Sequence, residues 1–430
     1  MLNWLDAVPA LVRILLVFAW VLLAIKRRWT LGSAFVSGAV LLGLLFAMGP
    51  LAILQAAGHA LIHPKTLSLT VIVSLILVLS HSLEKSGQMA RLLNTYRGLI
   101  RWPQLNLVVF PALIGLLPMP GGAVFSAPMV KNLGRDLNLS DARLSYINYW
   151  FRHIWEYWWP LYPGILLTTA LAEINLWRMV AFTFPLTVVA VVAGYWPLRG
   201  ALRGEVAQSS GKTVGPFIKE LAPIVFVIVG GLALGMVFSR LMPSGGKGVA
   251  KELGLILALL LAIGWVWQAN AMPRAACWAI LRQPELLKMI YMVGAILVFK
   301  GVLEDGGAVK ALSEEMLRWR IPLTPIAVLL PFVVGLVAGI TIAFVGATFP
   351  ILISLIHALG QAHLMLPYMM LALASGFVGV LVSPLHLCLL LSNAYFQTKL
   401  VPVYRLMVVP LIALLISGSV YFGLAAYWID

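Results

Sequence analysis

Leu83-Glu84-Lys85-Ser86-Gly87 recurs 220 positions later as Leu303-Glu304-Asp305-Gly306-Gly307, and Pro111-Ala112-Leu113-Ile114-Gly115 recurs at the same offset as Pro331-Phe332-Val333-Val334-Gly335. Leucine-rich helices align by chance, but Glu84/Glu304, Gly87/Gly307, Pro111/Pro331 and Gly115/Gly335 hold one register, which reads as a duplicated unit. Where such units carry apolar segments broken by Gly and Pro at matching places, membrane carriers bind their substrate between the two copies. The pattern therefore points to a carrier rather than to a soluble protein.

Composition agrees. Of 430 residues, 62% are hydrophobic and only 10% charged, a balance that excludes a soluble domain and calls for many membrane spans. The formal charge of +15 could suggest a nucleic-acid partner. The basic residues instead lie in short clusters between apolar stretches, as positive-inside topology requires, so no nucleic acid is expected. Cys277 and Cys388 are isolated and fall in or near apolar segments, which suits packing and suggests neither a disulfide nor a metal site. Lys26-Arg27-Arg28 follows the first apolar run instead of preceding it, so that run reads as a retained span with its N-terminus outside.

Segments of spanning length lie near 8–25, 31–55, 66–83, 144–172, 175–198, 216–240, 250–268, 283–301, 366–395 and 403–428, about ten in all. Two further segments, 104–130 and 321–356, are interrupted by Pro and Gly and are too short for the roughly 40 residues that two full crossings need. Treating both as re-entrant hairpins places more Lys and Arg on the inside than full crossings would. Under that topology the unit starting at 66–83 runs inward and the unit starting at 283–301 runs outward. The expectation is an all-α polytopic membrane protein built from two inverted repeats, with both termini outside. Residues 1–198 form the first half, with hairpin 104–130 and broken helix 144–172. Residues 199–216 are a cytoplasmic linker, and 217–430 form the second half, with hairpin 321–356 and broken helix 366–395.

Three stretches carry a family resemblance: the hairpin Pro111 to Pro128 with Leu117-Pro118-Met119-Pro120-Gly121-Gly122 at its tip, Arg152-His153-Ile154-Trp155-Glu156-Tyr157-Trp158-Trp159-Pro160, and Ser383-Pro384-Leu385-His386-Leu387-Cys388. They resemble an uncharacterised prokaryotic membrane family, the domain of unknown function numbered 401, which is similar to the ion transporter superfamily of dicarboxylate, citrate and gluconate carriers. The resemblance implies an elevator-type secondary carrier, often a homodimer, in the cytoplasmic membrane. Sodium-coupled dicarboxylate carriers show Ser-Asn-Thr at their hairpin tips, whereas these tips read Pro-Gly-Gly and Gly-Ile-Thr. That departure speaks against sodium coupling, and a Glu and a His within the membrane favour a proton, although backbone carbonyls can also hold sodium.

A helix broken within lipid leaves backbone groups that must face protein, water or ligand. At the first tip Pro120 ends one half-helix, and Gly121 and Gly122 let a ligand approach the amides that open the next, whose positive end attracts an anion. Ser126 follows. The second tip offers Gly339, Thr341 and Thr348. In 144–172, Asn148, Arg152, His153 and Glu156 precede Pro160. His153 and Glu156 are spaced to share a helix face, and Glu156 is the acidic residue this topology puts well inside a span, the expected coupling residue. The bland reading of Arg152, His153 and Glu156 is a structural cluster ringed by an aromatic belt of Trp150, Trp155, Trp158 and Trp159. In 366–395, Ser383 and His386 flank Pro384, and Ser392, Asn393 and Asn148 either line a cavity or bond across helices. The function expected is proton-coupled transport of a small organic anion by an elevator motion, with a sodium-coupled carrier or an inorganic-ion carrier or channel as the alternatives. With neither His-Glu-x-x-His nor Gly-x-Ser-x-Gly in the sequence, no catalytic residue, metal or cofactor is expected, and the chain does not read as an enzyme.

Overall fold

The computed structural model describes residues 8–96, 99, 103–118, 122–199, 213–242 and 249–429. Among them the regular structure is entirely helical, and eight helices are long and apolar enough to cross a membrane. Of the ten segments expected, 31–55 and 144–172 are divided and the first is a helix of 17 residues, Ala10–Lys26, while Thr341–Ala358, the second arm of an expected hairpin, is long enough to count among the eight. The segment 31–55 is two helices, Leu31–Leu45 and Pro50–Ile62. Pro50 supplies no N–H and its ring clashes with the preceding turn, so the first helix stops and Ala47 turns through φ +56° before the second begins. Residues 200–212 of the expected linker lie outside the described residues, and a 27-residue helix, Gly215–Leu241, follows.

Burial sorts the spans. The helix pair within Ala362–Tyr395 is 89% buried and Thr341–Ala358 is 78% buried, whereas Leu176–Leu198, Gly215–Leu241 and Leu400–Ile429 are each 28% buried over their most apolar window. The first two therefore form the centre of the bundle, and the others turn most of their apolar surface outward, as lipid-facing helices do. Close packing at the centre uses absent side chains: a Cβ on Gly335 would collide with the Gly376 carbonyl, and one on Gly379 with the Phe332 carbonyl. Helices Leu323–Ala338 and Met365–Val382 thus meet backbone to backbone.

Both expected hairpins are helix pairs. The first joins Pro103–Gly115 to Ala123–Asp136, and the second joins Leu323–Ala338 to Thr341–Ala358. Both expected broken helices are interrupted. Asp141–Trp150 runs through a 3-10 turn, Phe151–His153, and irregular turns before Pro163–Leu171, while Met365–Val382 stops at Ser383 and Leu387–Tyr395 resumes. The second arm of each hairpin packs on the helix that follows the break in the other half: Thr341–Ala358 on Pro163–Leu171, and Ala123–Asp136 on Leu387–Tyr395.

The carbonyls left at these helix ends are closed by aromatic donors. Trp155 Nε1 donates to the Ala112 carbonyl (2.7 Å), Tyr162 Oη to Gly115 (2.6 Å) and Trp159 Nε1 to Leu116 (2.9 Å). At the second break Tyr149 Oη donates to Leu381 (3.0 Å) and Tyr404 Oη to Val382 (2.9 Å). A helix end inside a membrane needs such partners because lipid offers none. The N-terminal helix Ala10–Lys26 is closed at its other pole: the amides of Ala10 and Leu11 donate to the two carboxylate oxygens of Glu315, at 2.5 and 2.9 Å.

Candidate functional site

A cavity of 430 Å³ lies where the second hairpin tip meets both breaks. Three helices begin at its wall, at Pro163, Thr341 and Leu387, so three positive helix ends converge on it. Each start has a local cause. Pro163 sits at the first helical position. Gly339 closes the preceding helix in the left-handed region, φ +66°, and Ser383-Pro384 ends the other. A Cβ on Gly339 would fall 2.9 Å from Ser383 Oγ and 3.1 Å from the His386 amide, so the tip rests on the second break.

Arg152, His153, His386 and Cys388 line the cavity and are buried, with 3–7% of each exposed. His153 Nδ1 donates to the Tyr149 carbonyl (2.6 Å), since a carbonyl only accepts, and this leaves the Nε2 lone pair free to face His386 Nε2 at 3.1 Å. Glu156 Oε1 lies 3.7 Å from His153 Nε2, and its Oε2 accepts from Thr341 Oγ1 at 2.8 Å. That last bond joins the first break to the second hairpin. Arg152 packs against the first hairpin, where a Cβ on Gly122 would stand 2.5 Å from both terminal guanidinium nitrogens. The mouth is bordered by exposed Glu285 and Lys288.

Of the residues expected at the site, the structure brings Arg152, His153, Glu156, Gly339, Thr341 and His386 to the cavity and sets Gly122 against Arg152. His153 and Glu156 are close although they do not share an α-helix face, because the chain has left the helix at Phe151–His153. Pro120 and Gly121 lie outside the described residues. Four expected residues are elsewhere. Ser126 Oγ donates to Asn148 Oδ1 (2.6 Å), Asn148 Nδ2 donates to Ser392 Oγ and the Ala123 carbonyl (both 2.9 Å), and Ser145 Oγ donates to Asn393 Oδ1 (2.6 Å). Ser126 and Asn148 thus bond across helices and do not line the cavity. Thr348 is fully buried and returns its hydroxyl to the Phe344 carbonyl at 2.8 Å, and Ser383 accepts from the Leu385 amide at 3.2 Å, both binding their own backbone. Of the tryptophans in the alternative aromatic belt, Trp155 and Trp159 turn their ring N–H groups to the end of the first hairpin.

Cys388 is the residue that sequence reasoning assigned to packing and the structure places at the site, within reach of His153 and His386. The signal that could have found it is its i, i+2 spacing from His386 directly after a helix-breaking Ser-Pro.

Chemically, the cavity offers a buried guanidinium, three helix N-termini, a carboxylate on a hydroxyl, and two imidazoles beside a thiol. The fold and this cavity define a polytopic helical membrane protein with a buried polar site. The chain belongs to the family described as protein of unknown function number 401, which it matches over residues 10–425. No curated protein matches it.

Proposed function

We propose that this protein is a secondary active transporter of a small organic anion, working by rigid-body displacement of the hairpins and broken helices against the remaining spans. One observation carries the reading: three helix N-termini and the buried Arg152 side chain converge on one open-mouthed cavity, an arrangement that suits an anion of carboxylate type. The order of elements supports two repeats, residues 1–198 and 217–430. Pro64–Lys85, Gln88–Tyr96 and Pro103–Gly115 have counterparts of the same kind in Pro284–Asp305, Ala308–Trp319 and Leu323–Ala338, each beginning 220 positions later. The reciprocal packing of each hairpin on the other half's break supports inversion about a two-fold axis in the membrane plane. Glu156, the carboxylate deepest in the cavity at 11% exposure, is the coupling residue, with a proton as the coupling ion.

The test is thermal stabilisation of the purified protein by carboxylates, sugar acids and inorganic anions, at two pH values, in sodium or choline. A ligand of the folded state at 100 times its Kd adds about 2.7 kcal/mol. One carboxylate class is expected to stabilise the wild type and to lose its effect in Arg152→Gln, and Glu156→Gln is expected to abolish uphill uptake in proteoliposomes. A response to sodium or an inorganic ion with none to any organic anion would overturn the reading in favour of an inorganic-ion carrier.

A further inference from the structure

We propose that His153, His386 and Cys388 form a binding site for a borderline-soft divalent transition-metal ion, of which Zn²⁺ is the type. One ligand atom from each residue lies within 4.8 Å of the others, and all three residues are buried. Four ligands at Zn–N and Zn–S distances of about 2.0–2.3 Å stand roughly 3.3–3.8 Å apart in a tetrahedron. The two Nε2 atoms, at 3.1 Å, need to part by only a few tenths of an ångström, and the sulfur to move in by about 1.3 Å at most. Two imidazoles and a thiol select zinc-like ions over Mg²⁺, Ca²⁺ or Na⁺, which take oxygen.

The surroundings fit ligation. His153 donates its Nδ1 proton to the Tyr149 carbonyl, the outer-shell bond that turns the Nε2 lone pair of a metal-binding imidazole inward. The Tyr149 ring stands edge-on to both imidazoles, with centroids 4.8 and 5.3 Å away, and limits their rotation. On binding, Cys388 gives up its thiol proton to solvent and the sulfur lone pair forms the bond, while His386 ligates through Nε2 with its proton on Nδ1. The Cys388 thiolate and the Glu156 carboxylate then balance the two positive charges. Three protein ligands leave a fourth position open to the cavity, the arrangement of sites that exchange a ligand rather than of closed structural sites. This site stands on its own donor set and does not require the transport reading.

Protein purified with a tag free of histidine and stripped with chelator is titrated with Co²⁺, whose thiolate complexes absorb strongly in the near ultraviolet. The wild type is expected to bind one Co²⁺ per chain with that charge-transfer band, and Zn²⁺ to displace it. Cys388→Ser removes the band, Cys277→Ser keeps it, and His386→Ala keeps the sulfur but weakens binding by at least about 100-fold. No stoichiometric band in the wild type, or an unchanged band in Cys388→Ser, overturns the site, and the wild-type result stands even if a variant misfolds. Both readings are scored on the wild type: no cobalt band with anion-dependent stabilisation present overturns the metal site alone, and a cobalt band with no anion response overturns the transport reading alone.

Discussion

At the scale of residues, two glycines separate binding from stability. A methyl group on Gly122 would meet the Arg152 guanidinium 2.5 Å away, at the flexible end of a long side chain. Gly122→Ala is therefore expected to fold, while the displaced guanidinium loses a charge-assisted contact of about 1.5–3 kcal/mol and anion affinity falls about 10- to 100-fold, read as ligand-dependent melting. Gly339→Ala meets the His386 backbone and a left-handed φ of +66°, neither of which gives way. It should cost about 1–2 kcal/mol from backbone strain alone and lower the melting temperature with no ligand present. Equal ligand affinity in Gly122→Ala and the wild type would remove Arg152 from the binding surface. Much of this site was legible because Arg, His and Glu are costly within apolar segments and announce themselves at 152, 153 and 156. Cys388 was not, since cysteine is at home in an apolar helix and its partner His153 is more than 200 residues away. Sequence alone places Ser126 beside the first tip and leaves Asn148 between lining a cavity and bonding across helices, because it gives polarity but not the partner that satisfies it.

At the scale of elements, the breaks were legible and their closures were not. Proline and glycine in apolar runs marked both hairpins and both broken helices, because a helix cannot pass through them unchanged. Nothing in the pattern Trp155-Glu156-Tyr157-Trp158-Trp159-Pro160 told where an indole N–H would point. The structure directs Trp155, Trp159 and Tyr162 to the last carbonyls of Pro103–Gly115 and its following turn. Tyr162→Phe keeps the ring and Trp155→Phe replaces the indole by a smaller aromatic ring; both delete the donor, so each leaves a carbonyl unpaired at a cost of about 1–3 kcal/mol. Amide exchange followed by mass spectrometry should show faster labelling across residues 103–118 in both variants. Unchanged exchange there would mean that water or lipid headgroups already serve those carbonyls.

At the scale of the whole molecule, the proposed displacement of hairpins and broken helices against the remaining spans makes a mechanical prediction. Under that proposal Thr341–Ala358 moves and Pro284–Asp305 stays, and they touch where a Cβ on Gly346 would lie 2.9 Å from Ile296 Cγ2. Cysteines introduced as Gly346→Cys and Ile296→Cys are close enough for a disulfide, which needs Cβ atoms about 3.5–4.5 Å apart. Oxidation should stop uptake into proteoliposomes and reduction restore it, with ligand-dependent melting unchanged in both states. Uptake that continues through the cross-link would show that these two helices do not slide past each other.

The aromatic closures have one more consequence. Three hydrogen bonds tie the end of the first hairpin to the chain between Trp155 and Tyr162, so swinging that hairpin aside like a flap would strip all three carbonyls of their partners at once. At about 1–3 kcal/mol for each exposed carbonyl, such a gate would rest almost permanently shut. On the proposed transport reading, the first hairpin would therefore travel together with the chain between Trp155 and Tyr162 instead of opening as a flap over it.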